Sequence, residues 1–170
     1  MDAILPGFSS ALNIHPMFVH FPLVLWLTAL FFCGLALALG REAFWDAGRW
    51  LLYLGALAAL ATVGTGLWAE EHLGHQSPGH DLVHVHRNWM LSSTGLGLLT
   101  AFAVFATREK ATRGVRWLVC GLLLTTVVVS ALGADRGALL VYRYGIGTRV
   151  DLAPPAAAQE PENGHRQHDH

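Results

Sequence analysis

Residues 51–60 read LLYLGALAAL, ten consecutive positions without a charged side chain. A helix at the surface of a soluble protein carries a polar stripe that repeats about every 3.6 residues, and this stretch has none. A helix that is apolar on every side is buried on every side, either in a large core or in lipid. The rest of the sequence decides between these two environments.

Four uncharged stretches of this kind occur in the chain. They comprise residues 17–40, 50–69, 88–107 and 117–134, each about 18 to 24 residues long. Because an α-helix rises about 1.5 Å per residue, each stretch can cross an apolar core of about 30 Å. The sequence therefore predicts an all-α fold, a four-helix transmembrane bundle, within residues 1–152.

The composition also favours a membrane protein. Hydrophobic residues make up 53% of the 170 positions and charged residues only 14%, whereas soluble proteins have roughly 25% charged residues. The formal net charge of −1 gives no electrostatic reason to expect nucleic acid as a partner. Cys33 and Cys120 lie inside apolar runs, so neither a disulfide framework nor a cysteine zinc site is supported. The expected partner of most of the surface is the lipid bilayer.

Basic residues indicate how the helices are oriented. Six of the eleven Lys and Arg residues lie in two short loops, after the first helix and after the third: Arg41, Arg49, Arg108, Lys110, Arg113 and Arg116. Short loops rich in Lys and Arg face the cytoplasm. We therefore expect a bacterial inner-membrane protein with both termini and the loop 70–87 on the periplasmic side. Because no basic region precedes the first helix, that helix is not expected to be a cleaved signal peptide.

The C-terminal part divides into two segments. Residues 135–147 are amphipathic, too charged to span a bilayer and too apolar for a solvated tail, and are expected to lie against the outer membrane face. Residues 153–170 are rich in Pro, Ala, Gln and Glu and end in three histidines, His165, His168 and His170. This composition predicts a disordered tail.

The other histidines are concentrated on one side of the membrane. On the predicted topology the inner half has none, and seven lie on the outer side, at His15, His20, His72, His75, His80, His84 and His86. Ionisable groups near a membrane are costly to bury and indicate a functional site unless they are solvated loop residues. A site on the outer side is therefore the main functional hypothesis.

His20 is the first candidate ligand, because it lies about one turn inside the first helix. Pro22 frees the carbonyl of Phe18 nearby, which is then available to shape a site. His84 and His86 mark the start of the third helix, at the same outer level. They point about 200° apart on a helix, so only one of them can face the bundle interior.

A b-type haem needs two imidazoles on opposite helices with the porphyrin between them, and His20 with His86, or His20 with His84, meets this requirement. Small residues that make room for a macrocycle are Gly64, Gly66, Gly95, Gly97 and Gly133. Candidate partners of the haem propionates are Arg87, Arg136 and Arg143. A single outer haem cannot carry electrons across the bilayer. The predicted role is therefore an electron-transfer or anchoring subunit of a larger respiratory or redox complex, without catalysis by this chain alone.

Two other functions remain open. His80 and His84 are spaced i, i+4 and share a helical face, which makes them a candidate zinc or copper site. Further ligands for such a site are available at His72, His75, Glu71 and Asp81. Alternatively, the chain is a non-redox assembly subunit whose helices dock a partner and whose histidines are structural.

The sequence resembles a known family over residues 13–150. The resemblance is carried by a Gly-rich second helix, a histidine at the start of the third, and two motifs, HPMFVHFP at residues 15–22 and LVYRYGIG at residues 140–147. The family is the bacterial membrane family known as domain of unknown function 2231. The resemblance implies a four-helix membrane fold.

The same domain is found fused to c-type cytochrome or Rieske-type modules, which implies electron transfer at the outer face and partners such as c-type cytochromes. The resemblance maps most directly onto His15, Pro16, His20 and Pro22, and so includes His15 among the candidate haem-binding residues. It leaves the choice between His84 and His86 open.

Overall fold

The computed structural model describes residues 4, 13–73, 79–107 and 112–148. The helices in this part of the chain are α1 (His15–Phe18), α2 (His20–Leu39), α3 (Glu42–Glu71), α4 (His80–Thr107) and α5 (Arg113–Tyr144). α1 and α2 form a single span, and with α3, α4 and α5 they make four segments long and apolar enough to cross a membrane. The predicted four-helix transmembrane bundle is confirmed.

The helices extend beyond the uncharged stretches of the sequence. α3 begins at Glu42 rather than near residue 50, and α4 begins at His80 rather than near residue 88. Hydropathy marks only the part of a helix that lies in hydrocarbon, whereas the backbone hydrogen bonds continue through its charged ends. Histidines expected in a loop or at a helix start therefore lie on helical backbone.

Residues 135–144 are the last turns of α5. The amphipathic segment expected at residues 135–147 is thus a continuation of the fourth membrane helix rather than a separate element against the membrane face. Its sequence contains no proline, and Gly145 ends the helix in the left-handed conformation, with φ 65°. The predicted disordered tail, residues 153–170, lies outside the described residues.

Helices that follow one another in the sequence pack side by side. α2 packs against α3 and α4 against α5, and the bundle closes through contacts of α2 with α5 and of α3 with α4. α1 and the start of α4 lie at the same end as the last turns of α3 and α5, because His15 meets Thr65 and His86 meets Gly133 there. We call this the histidine end. The arrangement is the antiparallel one expected of helices joined by short loops.

Trp26 fills the centre of the bundle. Its side chain is 1% exposed and lies between two glycines, Gly55 of α3 and Gly97 of α4. A Cβ atom at Gly55 would lie 2.5 Å from Cδ1 of Trp26, and one at Gly97 would be closer still to the same ring. Gly97, a candidate for macrocycle space, therefore makes room for a side chain of the protein itself.

The outward surface of the spans is apolar. Phe31, Phe102 and Leu118 are 61%, 67% and 62% exposed. In water such a surface promotes aggregation, whereas lipid tails cover it in a bilayer. The distribution of buried and exposed side chains therefore agrees with a membrane as the surrounding solvent.

Candidate functional site at the histidine end

His15 is the first residue of α1. Pro16 follows it in the first helical turn, a position that proline favours. Nδ1 of His15 lies 3.2 Å from the hydroxyl oxygen of Thr65 on α3. The backbone carbonyl of Thr62 is also within hydrogen-bonding reach of the ring. The imidazole packs on Gly66, where an added Cβ would lie 3.0 Å from Cε1 of His15. α3 therefore positions this ring through hydrogen-bonding groups and a glycine.

His86 is positioned in a similar way by α5. It is half-buried on α4, and its Nδ1 lies 2.8 Å from the carbonyl oxygen of Gly133. The imidazole packs on Gly137, where an added Cβ would lie 2.9 Å from Cε1 of His86. Because a carbonyl oxygen can only accept, Nδ1 carries the hydrogen, and a neutral ring then has its lone pair on Nε2.

His15 and His86 lie near one another at the histidine end. They are close enough for an electrostatic interaction between the two rings. Nδ1 of each ring is engaged, and neither ring makes a further side-chain hydrogen bond within the described part of the chain. Neither Nε2 atom has a side-chain partner among the described residues, which makes both atoms candidates to bind a ligand.

His20 is not part of this pair. It is the first residue of α2, is exposed, and makes no hydrogen bond or ion pair among the described residues. His15 and His20 are five positions apart, which on a helix separates their directions by about 140°. When one ring faces the bundle, the other therefore points away from it. The structure brings His15 to His86, in place of the expected approach of His20.

The backbone next to these histidines is shaped by Pro22. Proline has no N–H to donate to the carbonyl four residues earlier, that of Phe18. The hydroxyl oxygen of Thr62 on α3 lies 3.1 Å from this carbonyl oxygen and 2.8 Å from that of Ala58, so its one hydrogen is shared between them. The prediction that Pro22 leaves the Phe18 carbonyl free for another contact is confirmed, and the contact ties the first span to α3.

A second cluster joins α3 to α4 and consists of His80, His84, Glu70 and Arg87. His80 and His84, one turn apart, bring their Nε2 atoms within 3.1 Å, so they share a helical face as predicted. Nδ1 of His84 lies 3.2 Å from Oε1 of Glu70, and Arg87 donates to the same oxygen at 2.6 Å. The Glu70 side chain is only 15% exposed. Arg87 compensates the charge of this sheltered carboxylate.

The other residues considered for a metal site are placed elsewhere. His72 is exposed, and its Nδ1 donates to the carbonyl oxygen of Trp68 at 2.7 Å. Glu71 and Asp81 are exposed, and His75 lies outside the described residues. In the part of the chain that the structure describes, no group of three or more His, Cys, Asp or Glu side chains is arranged to hold a metal ion.

The three arginines proposed as propionate partners all lie near the histidine end. Arg87 pairs with Glu70, so its charge is already shared with a carboxylate. Arg136 also pairs with a carboxylate, Asp135, at 3.3 Å, and its guanidinium lies 5.4 Å from the ring of Trp89, whereas Arg143 is exposed. Arg143 is therefore the cation with more surface available to an anion.

Three residues that position these histidines could not be recognised as site residues from the sequence alone: Thr65, Glu70 and Gly137. Glu70 looks like a solvated charge at a helix end, yet its side chain is largely covered. Which residues meet across antiparallel helices depends on the axial register and rotation of each helix. Helices that are apolar on all sides have no polar stripe from which that rotation can be read.

Comparison with known proteins identifies the family but no individual relative. The family described as predicted membrane protein (DUF2231) matches residues 11–150, in agreement with the resemblance seen in the sequence. No curated protein and no solved structure matches the chain. The matched range contains both histidine clusters and all four spans, and the chain belongs to the DUF2231 family of membrane proteins.

Proposed function

We propose that this chain is a subunit of a membrane redox complex that binds a single haem b at the histidine end, where His15 and His86 would hold its iron. The pair of imidazoles carries the proposal, because each comes from a different helix and has Nδ1 engaged while Nε2 has no side-chain partner. Helical bundles hold b-type haem with two such rings. When bound, the haem supplies one-electron transfer.

Neighbouring residues suit both rings to this role. The Gly133 carbonyl accepts the Nδ1 hydrogen of His86 at 2.8 Å, which fixes the tautomer and leaves the lone pair on Nε2. Thr65 occupies the corresponding position beside His15, at 3.2 Å. Gly66 and Gly137 let the two rings lie against the backbones of α3 and α5. These contacts favour orientations in which Nε2 can bind iron.

The position of the pair restricts the kind of electron transfer. In the described residues the histidines lie near one end, and the opposite half of the bundle contains the buried thiols of Cys33 and Cys120. A single haem at one end cannot move electrons across the bilayer, so we infer a relay or anchoring role. On the positive-inside rule we assign the site to the periplasmic face of the bacterial inner membrane, with c-type cytochromes as proposed partners.

A second candidate function is an assembly subunit without a redox centre. Each long helix has a glycine at which an added Cβ would meet nothing within 4 Å: Gly34, Gly64, Gly95 and Gly121. Small residues on a lipid-facing surface let another helix approach closely. On this function the histidines are structural and the protein carries no haem.

A reduced-minus-oxidised absorption spectrum of the full chain, purified in detergent from haem-replete cells, tests the proposal. We expect a b-type α-band, and pyridine haemochrome quantification should give about one haem per chain. His15→Ala and His86→Ala should each abolish haem retention while membrane insertion and helix content stay unchanged. His20→Ala is the matched control, because His20 is exposed in the same span, and it should retain its full haem content.

Two outcomes would contradict the proposal at different levels. A colourless parent protein would overturn haem binding and favour the assembly function. Haem that is lost from His20→Ala but retained by His15→Ala would overturn the choice of ligands and favour the pairing of His20 with His86.

A further inference from the structure

The cluster of His80, His84, Glu70 and Arg87 is separate from the proposed haem pair. The Nε2 atoms of His80 and His84 are 3.1 Å apart, and the two rings are nearly perpendicular, at 83°. The His84 side chain is 40% exposed, so the cluster is open to its surroundings at the end of the bundle. Two imidazoles therefore converge on one accessible point.

The separation of the two Nε2 atoms is typical of two arrangements, a hydrogen bond between the rings and a metal ion bound by both. An N–H···N hydrogen bond, in which one ring donates to the other, has about this length. Two imidazoles on one metal ion give a similar separation, since at a Zn–N distance of about 2.0–2.1 Å tetrahedral ligand nitrogens lie about 3.3 Å apart. The rings are thus within a few tenths of an ångström of the positions that a shared ion requires. When such an ion takes the place of the shared proton, that proton moves through solvent to Nδ1 of the donating ring, and both rings stay neutral.

Glu70 and Arg87 add a feature that is typical of metal sites. Oε1 of Glu70 lies 3.2 Å from Nδ1 of His84, an ion-pair distance at which the two atoms are not aligned as a hydrogen bond. A small rotation of the ring aligns them, and a carboxylate bonded in this way orients a ligating histidine so that its Nε2 faces the metal. Arg87 donates to the same oxygen at 2.6 Å and so restrains the carboxylate. Because Glu70 is on α3 and the histidines are on α4, helix packing rather than one helix alone determines the geometry.

We propose that His80 and His84 form a two-histidine site for a divalent transition-metal ion, with Glu70 as the residue that orients His84. Imidazole ligands suit copper(II) and zinc(II), and copper(II) is the more tightly bound of the two in most sites of this type. No group of three protein ligands is arranged for a metal among the described residues, so water completes the coordination. The site does not depend on the proposed haem.

Titration of the full chain with copper(II), followed by calorimetry and electron paramagnetic resonance, tests this site. His165, His168 and His170 are replaced by alanine in the parent and in every variant, because a histidine-rich tail binds metal on its own. We expect one copper(II) ion per chain and two imidazole nitrogens in its resonance spectrum. Glu70→Gln should weaken binding about tenfold, and His80→Ala or His84→Ala should weaken it further.

Two controls separate this site from its neighbours. His72→Ala removes an exposed histidine at the same end, one that bonds a backbone carbonyl, and should bind copper(II) like the parent. His15→Ala should also bind copper(II) like the parent, so failure of the haem proposal is distinguishable from failure of this one. Circular dichroism and gel filtration verify that each variant is folded. Unchanged copper affinity in folded His80→Ala and His84→Ala, or an equal loss in His72→Ala, would overturn the proposal.

Discussion

The imidazole of His86 donates its Nδ1 hydrogen to the carbonyl oxygen of Gly133, 2.8 Å away on the neighbouring helix. In an α-helix that carbonyl faces the N–H of the residue four positions on, which here is Gly137. Gly137 has no side chain to cover the carbonyl, and the His86 ring lies where its Cβ would be. The lack of a side chain at Gly137 therefore explains how the ring reaches the backbone of α5, and the hydrogen bond to the Gly133 carbonyl explains why its orientation is restricted.

Gly137→Ala should displace the ring of His86. The added Cβ would lie 2.9 Å from Cε1 of the ring, too close for a packed interior, so the ring or the helix must shift. We expect a lower unfolding temperature and a large loss of the proposed haem, measured as absorbance per chain. Gly121→Ala on the same helix is the control, because its Cβ meets nothing within 4 Å. Equal effects of the two substitutions would contradict this explanation.

Gly97→Ala should destabilise the centre of the bundle. Trp26 is 1% exposed and occupies the space that the new methyl group needs, so neither can move without disturbing the core. Overpacking of this kind costs about 1–3 kcal/mol in unfolding free energy. Thermal unfolding in detergent, followed by circular dichroism, measures the change. Gly95→Ala, two residues away on the open face of the same helix, should leave stability unchanged or raise it. If Gly95→Ala lost as much stability as Gly97→Ala, the contact with Trp26 would not be the cause of the destabilisation.

Much of the fold can be predicted from the sequence because each span needs only one property, a run of about 20 apolar residues that can cross the membrane as a helix. A stretch such as residues 50–69 has this property without reference to any other part of the chain. The ends of the helices do not follow from that property. α3 starts at Glu42 and α5 continues to Tyr144, since charged residues at a membrane surface are as compatible with a helix as with a loop.

Features of the site could be predicted only where they depend on residues that are close together in the sequence. Pro22 leaves the Phe18 carbonyl without a donor whatever surrounds it, and that consequence is visible in the sequence. The residue that supplies the new donor, Thr62, lies 44 positions away and is found only when the helices are packed. The same limit applies to His15 and His20, because the rotation of the first span decides which ring meets His86.

Ser93 and Ser130 should show strong energetic coupling. Their hydroxyl oxygens are 2.6 Å apart between α4 and α5, and the residues are 0% and 2% exposed. Ser93→Ala should lower the unfolding free energy by about 0.5–1.5 kcal/mol, because Ser130 keeps a buried hydroxyl without its partner. The double substitution to alanine should cost less than the sum of the single ones. Reversible unfolding in mixed micelles measures all three variants, and additive losses would mean that the two hydroxyls contribute independently.

Reporter fusions should show that the histidine end faces the periplasm. Arg41, Arg49 and Arg116 lie toward the opposite end, and short loops rich in basic residues stay in the cytoplasm. In a bacterial host, alkaline phosphatase fused after Thr148 should therefore be active, and the same enzyme fused after Thr107 should be inactive. Green fluorescent protein at the two positions provides the control, since it should give the reverse pattern. Activity only after Thr107 would place both histidine clusters at the cytoplasmic face and exclude periplasmic c-type cytochromes as direct partners of the proposed haem.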